Sequence, residues 1–167
     1  LHNIRTSTED YNEAYNSGAR WISKADEVTV SFDVTYNTNG ATSGSNKTVT
    51  YDNLAATAEA MPTGWAKTGH TFLGWATTSD ANTADYAVGA ALTNIDGNGT
   101  PADGGNYTLY AVWKPNEYTV TYNYNKPSGV TANPGSWPAN GKVNHGSNYT
   151  ISNNTPTLTG YRFDGWA

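Results

Sequence analysis

Polar and apolar residues alternate from residue 28 onward. Val28, Val30, Phe32, Val34 and Tyr36 fall on one side and Thr29, Ser31, Asp33 and Thr35 on the other, the period of a half-buried strand. Asn37-Thr38-Asn39-Gly40 supplies residues that tolerate positive φ, so a hairpin turn follows and residues 47–51 form the return strand. Residues 54–61 are Ala-rich and, Thr57 apart, free of β-branching, which predicts a short helix ended by Pro62. Residues 71–75 read as a short strand. Residues 107–113 read as another, with Leu109, Ala111 and Trp113 on one face and Tyr110 and Val112 on the other. A strand apolar on both faces belongs in the middle of a sheet. Upstream of all these, Tyr11, Ala14 and Tyr15 stand at helical spacing behind a Ser7/Asp10 capping box, with Gly18 as a stop. These predict a helix within an N-terminal segment, residues 1–26.

The pattern then repeats. Val34-Thr35-Tyr36-Asn37-Thr38-Asn39 returns 86 residues later as Val120-Thr121-Tyr122-Asn123-Tyr124-Asn125. Gly69-His70-Thr71-Phe72-Leu73-Gly74-Trp75-Ala76 returns 91 residues later as Gly160-Tyr161-Arg162-Phe163-Asp164-Gly165-Trp166-Ala167. A period of about 90 exceeds solenoid units and fits one small domain in tandem. Val49-Thr50-Tyr51-Asp52 aligns with Val143-Asn144-His145-Gly146 at an offset of 94, which makes the Pro/Gly/Asn-rich loop over residues 126–141 about eight residues longer than its counterpart. The units are then 27–114, complete, and 117–167, which stops before a counterpart of residues 107–113. On this reading Phe72, Trp75 and Trp113 are core residues of the first copy, with Phe163 and Trp166 at the matching places in the second.

The first copy runs through Tyr107-Thr108-Leu109-Tyr110-Ala111-Val112-Trp113 to Lys114-Pro115-Asn116-Glu117, where the second begins. That order of a Val-Thr-Tyr-Asn opening strand, a Gly-x-x-Phe-x-Gly-Trp centre and a Leu-Tyr-Ala-x-Trp closing strand resembles the Listeria–Bacteroides repeat, also described as the internalin B-type repeat. His70 and Asp52 depart from the family pattern, which usually has an aromatic at the first and a glycine at the second. The resemblance implies a mainly β (α+β) fold of tandem small β-grasp-like domains. It also implies an extracellular, wall-attached or secreted bacterial setting, a stalk or interaction role, and no catalytic residues or cofactor.

Charge narrows the partners. Nine basic and 14 acidic side chains give a formal charge of -5, and only 14% of residues are charged. Without a concentrated positive face, nucleic acid and anionic membrane surfaces are poor partners. No apolar run approaches the roughly 18 residues of a spanning helix, so no membrane insertion is expected within the chain. It begins at Leu1 rather than Met and reads as an excised or processed piece of something longer. With no cysteine, disulfides and thiolate metal sites are excluded, which an exported bacterial protein tolerates.

Candidate chemistry is thin. His70 aligns with Tyr161 and His145 with Tyr51, so both stand at aromatic positions of the repeat, while His2 lies near the terminus. No acid–base partner recurs beside them. Asp96, Asn98 and Asp103 alternate oxygen ligands as a weak calcium candidate, but Pro101 stands where an EF-hand loop needs glycine. Trp65, in a three-residue insertion of the first copy, and Trp137, in the long loop of the second, stand outside the shared motifs. They are the candidate binding aromatics, suited to stacking on sugars or anchoring a protein, with loop packing as the plainer alternative.

The sequence therefore reads as a non-enzymatic repeat module of a bacterial surface protein that meets a protein or glycan partner. Two alternatives are a carbohydrate-binding accessory module led by Trp65 and Trp137, and a strand-donating filament subunit that self-associates through the incomplete second repeat.

Overall fold

The alternation of the opening segment becomes strand β1, Phe32–Asn37, in which Phe32, Val34 and Tyr36 are buried and the residues between them are half-buried. The structure is a computed structural model that describes residues 30–167. The N-terminal helix expected in residues 1–26 lies outside the described residues. β2 (Lys47–Tyr51), β3 (His70–Ala76) and β4 (Asn106–Pro115) complete a four-stranded sheet in the order β2-β1-β4-β3. β1 and β2 form an antiparallel hairpin, β1 and β4 run parallel, and β3 returns antiparallel to β4. A parallel pair needs a long crossover. Here the chain between β1 and β4 carries both outer strands.

β4 is central, as its two apolar faces require: Leu109 and Ala111 are fully buried on one side and Val112 on the other. At roughly 1.5–3 kcal/mol for each large apolar side chain removed from water, this strand carries a substantial share of the sheet's stability. β3 contains a bulge between Phe72 and Gly74. Gly74 sits at φ 138, and a Cβ there would lie 2.6 Å from the Tyr86 carbonyl oxygen and 2.8 Å from the Ala84 Cβ, so only glycine fits. The approach is close because Trp75 and Tyr86 exchange two backbone hydrogen bonds, each 2.9 Å.

Residues 54–61 are not helical. Leu54 and Ala55 lie in a turn, and residues 56–58 run extended beside residues 89–92, with the Ala58 amide donating to Ala90 O (2.8 Å), Leu92 to Ala56 O (2.9 Å) and Gly89 to Ala58 O (2.8 Å). Burial follows period two, with Ala56 and Ala58 inside and Thr57 outside. Helix propensities separate ordinary residues by only about 0.7 kcal/mol, and isolated helices shorter than about 12 residues are marginal. Tertiary pairing therefore decides the conformation. No helix occurs among the described residues, which are mainly β.

The second copy forms a two-stranded antiparallel sheet, β5 (Glu117–Val120) with β6 (Gly141–Asn144), the counterpart of the β1–β2 hairpin. Its register corrects the sequence alignment. Val34 faces Val49, but Val120 faces Gly141, so the second hairpin loop is six residues longer rather than eight, and Val143 rather than His145 takes the place of Tyr51.

Candidate functional site

Each copy is organised around one tryptophan. In the first, Trp75 is fully buried, and ring centroids of Tyr36, Phe72 and Trp65 lie 4.6, 4.9 and 5.8 Å from its own, all edge-on. Its Nε1–H donates to the Glu59 carbonyl oxygen at 2.7 Å. In the second, Tyr122, Phe163 and Trp137 surround Trp166 at 4.6, 4.9 and 5.3 Å, and its Nε1–H donates to the Ser152 carbonyl oxygen at 3.0 Å. Edge-to-face packing of this kind adds about 0.5–1.5 kcal/mol per pair beyond area burial.

The two candidate binding aromatics thus stand at matching places, and for Trp65 the burial fits the loop-packing alternative. Trp65 is only 6% exposed. The β1–β2 loop closes over it: Gly44, at φ 95, lies so close that a Cβ would enter the indole ring, Ser43 Oγ donates to Gly64 O at 2.8 Å, and the Thr42 amide donates to Ala66 O at 2.7 Å. With its ring held between that loop and Trp75, it presents no face to a sugar. Trp137 reaches the matching place beside Trp166 from a different loop, the long β5–β6 connection. It also packs on Tyr124 at 4.3 Å and is half-buried. Each insertion singled out by the sequence supplies the fourth ring of an aromatic nest. The signal that links them is that each copy has one inserted tryptophan, from whichever loop is longer.

Phenols complete the nests. Tyr36 Oη and Tyr51 Oη are hydrogen-bonded at 2.8 Å, and the Glu59 amide donates to Tyr36 Oη at 3.1 Å. Burial pushes both phenols above their ordinary range, Tyr51 well above it, so they are neutral hydrogen-bonding groups rather than bases. In the second copy Tyr122 Oη accepts from the Ser152 amide at 2.7 Å and meets Tyr149 Oη at 3.4 Å, a contact that raises Tyr149. Tyr149, not His145, is the functional match of Tyr51.

His70 and His145 meet where the copies join. β4 ends at Pro115 and β5 begins at Glu117, leaving Asn116 alone between them. Its amide donates to Gly69 O (2.8 Å), its carbonyl accepts from the His145 amide (2.8 Å), and its side-chain oxygen accepts from Thr71 Oγ1 (2.8 Å). The His70 and His145 rings cross edge-to-face at 5.5 Å, with Tyr118 6.2 Å from His145. Gly69, at φ 68, lies directly against the His145 ring, leaving no room for a Cβ. Sequence reading placed His70 and His145 at unrelated aromatic positions and missed Asn116, which no motif marks.

The calcium candidate separates. The Asp96 carboxylate accepts from the Asn98 amide at 2.8 Å, an Asx turn, whereas Asp103 accepts from the Ser31 amide at 3.0 Å and ties the start of β1. Among the described residues no three His, Cys, Asp or Glu side chains are grouped to hold a metal ion.

Comparison with known proteins agrees with this internal duplication. The profile of the Listeria-Bacteroides repeat domain matches residues 32–112 and again 118–167. No curated protein and no solved structure gave a significant match. Two matches that together span most of the chain show that it belongs to the Listeria-Bacteroides repeat domain family.

Proposed function

We propose that the chain is a non-enzymatic, β-grasp-like tandem repeat module of a bacterial extracellular or cell-surface protein, acting as a stalk that presents a partner-binding surface. Its family is typical of bacterial surface proteins. The observation that carries the stalk reading is the junction. One residue joins two strands, and its amide, carbonyl and side chain are all engaged by the flanking copies. A flexible linker of several residues would let the copies tumble, whereas this one transmits orientation. The weakly charged surface suits a protein or glycan partner rather than a polyanion. Among the described residues no helix is long and apolar enough to cross a membrane.

The absence of cysteine makes the test direct. Paired cysteines at exposed Ser45 and Ser147, one in each copy, accept spin labels whose separation is then measured. A single narrow distance distribution is expected. A broad distribution, as from independently tumbling copies, contradicts the stalk.

A further inference from the structure

Five asparagines of the chain stand two residues before a threonine with no proline between: Asn46, Asn98, Asn106, Asn148 and Asn153. That spacing is the acceptor signature for an N-linked glycan. Only at Asn98 does an acidic residue also stand two residues before the asparagine, in Asp96-Gly97-Asn98-Gly99-Thr100. A carboxylate at a fixed spacing from the acceptor offers a transferase a charged contact through an arginine, in addition to the threonine hydroxyl.

The fold separates the five again. Asn46 Oδ1 accepts from the Thr38 amide at 3.0 Å, and Thr48 lies within β2. Asn106 and Thr108 belong to the central strand and pair with Asp33 and Thr35, so entry into an active site would require pulling β4 out of the sheet. Asn148-Tyr149-Thr150 is tied down by the contact of Tyr149 Oη with Tyr122 Oη at 3.4 Å. Thr155, which completes the signature of Asn153, is followed by buried Pro156, which restricts its backbone.

Around Asn98 the constraints are absent. Residues 97–100 are exposed and belong to no strand. Gly97 (φ 79) and Gly99 (φ 102) flank the asparagine, and a Cβ on either would meet nothing within 4 Å, so open space surrounds the acceptor. The hydrogen bonds of the loop are local: the Asn98 amide donates to Asp96 Oδ1 (2.8 Å), the Gly97 amide to Asn94 O (3.0 Å) and the Asn94 amide to Gly99 O (2.9 Å). Buried Leu92, Ile95 and Pro101 hold its ends. A transferase can therefore reshape the acceptor segment while the sheet stays intact.

We propose that Asn98 is an N-glycosylation acceptor, modified in the folded chain by an oligosaccharyltransferase that uses a polyprenyl-diphosphate-linked oligosaccharide. Asn98 Nδ2 forms a bond to C1 of the first sugar. The C1–O bond to the lipid diphosphate breaks with its electron pair, and one amide proton passes to a base of the transferase. Asp96 serves as a recognition residue. The inference rests on the extracellular setting proposed above, because such oligosaccharides are transferred to exported chains. Its test uses purified components, so it can fail without touching that setting.

The full chain is incubated with a bacterial oligosaccharyltransferase that requires an acidic residue at this place and a lipid-linked oligosaccharide of known mass. A synthetic peptide of residues 94–102, modified in a parallel reaction, establishes that the enzyme is active. The intact mass of the chain should rise by one oligosaccharide, peptide mapping should place it on Asn98, and Asn98→Gln should abolish the gain. Asp96→Asn keeps a side-chain oxygen for the Asn98 amide but removes the charge, and should slow transfer by about tenfold or more, the effect of losing one charged hydrogen bond. An unmodified chain beside a modified peptide, a glycan on one of the other four asparagines instead, or an Asp96→Asn rate equal to the parent's overturns the proposal.

Discussion

The two copies contain the same aromatic nest in different surroundings. Trp75 and Trp166 have the same neighbours at nearly the same separations and the same type of indole hydrogen bond. Yet Trp75 has no exposed surface, while Trp166 is half-buried and borders a groove. The nest is formed by the hairpin, the Gly-x-x-Phe-x-Gly-Trp turn and one inserted tryptophan, and in the first copy Trp113 of β4 packs on its Phe72 at 5.6 Å. Strand structure spans Phe32–Asn37 and His70–Ala76 in the first copy, whereas in the second it stops at Val120 and is not regained over residues 162–167. The same side-chain clustering therefore occurs with and without strand structure around it.

The sharpest way to break the comparison is to remove its centre. Trp75→Ala should destabilise the first copy by about 3–5 kcal/mol, the cost of truncating a fully buried aromatic, whereas Trp166→Ala should cost about half as much because its ring is already partly in water. Chemical denaturation followed by far-ultraviolet circular dichroism measures both; equal losses would show that β4 does not distinguish the two sites.

Next come the inserted rings. Trp65→Ala should cost about 2–4 kcal/mol and Trp137→Ala roughly 1–2 kcal/mol, in line with their burial. Thermal unfolding monitored by calorimetry reports the pair. A Trp65→Ala protein as stable as the parent would mean that the ring is not part of the core.

Much of this was legible in the sequence, and the failures have a common cause. β1 was readable because Phe32, Val34 and Tyr36 alternate against one core, and β4 because both its faces are apolar. Residues 54–61 misled because alanine has high helix propensity, while its small side chain equally suits an extended segment packed close to its neighbour at Ala56 and Ala58. Trp65 and Trp137 were recognised as insertions, but their equivalence depends on two different loops reaching one point in space, which no linear alignment shows. His145 was matched to Tyr51 by similarity, yet the ladder register moves it past the strand to the junction. Local period was informative, and contacts between loops were not.

A smaller effect separates two glycines that share a backbone conformation. Gly69 and Gly160 have φ 68 and 83, but a Cβ on Gly69 meets the His145 ring while one on Gly160 meets nothing within 4 Å. Gly160→Ala should cost about 1 kcal/mol in backbone strain alone. Gly69→Ala should cost more and also broaden the separation between labels at Ser45 and Ser147. Equal stability losses with an unchanged separation would remove His145 from the junction.

The smallest effect is alkaline. Burial raises the Tyr36 and Tyr51 phenols, so the folded chain holds their protons more tightly than the unfolded chain. Their contribution is fully present below pH about 10, the ordinary phenol value, and is lost as pH rises through the folded values. Unfolding midpoints should therefore fall above pH about 10, and fall less steeply in the Tyr36→Phe/Tyr51→Phe double variant. Parallel curves for the two proteins would assign the alkaline loss elsewhere.

Nuclear Overhauser contacts between indole rings in solution decide whether Trp65 and Trp137 are equivalent members of two nests or free binding aromatics. Cross-peaks are expected for both Trp65–Trp75 and Trp137–Trp166, with the Trp65 and Trp137 indole resonances unmoved by soluble oligosaccharides. A Trp137 ring without contact to Trp166, or either indole shifting saturably as oligosaccharide is added, would contradict the equivalence.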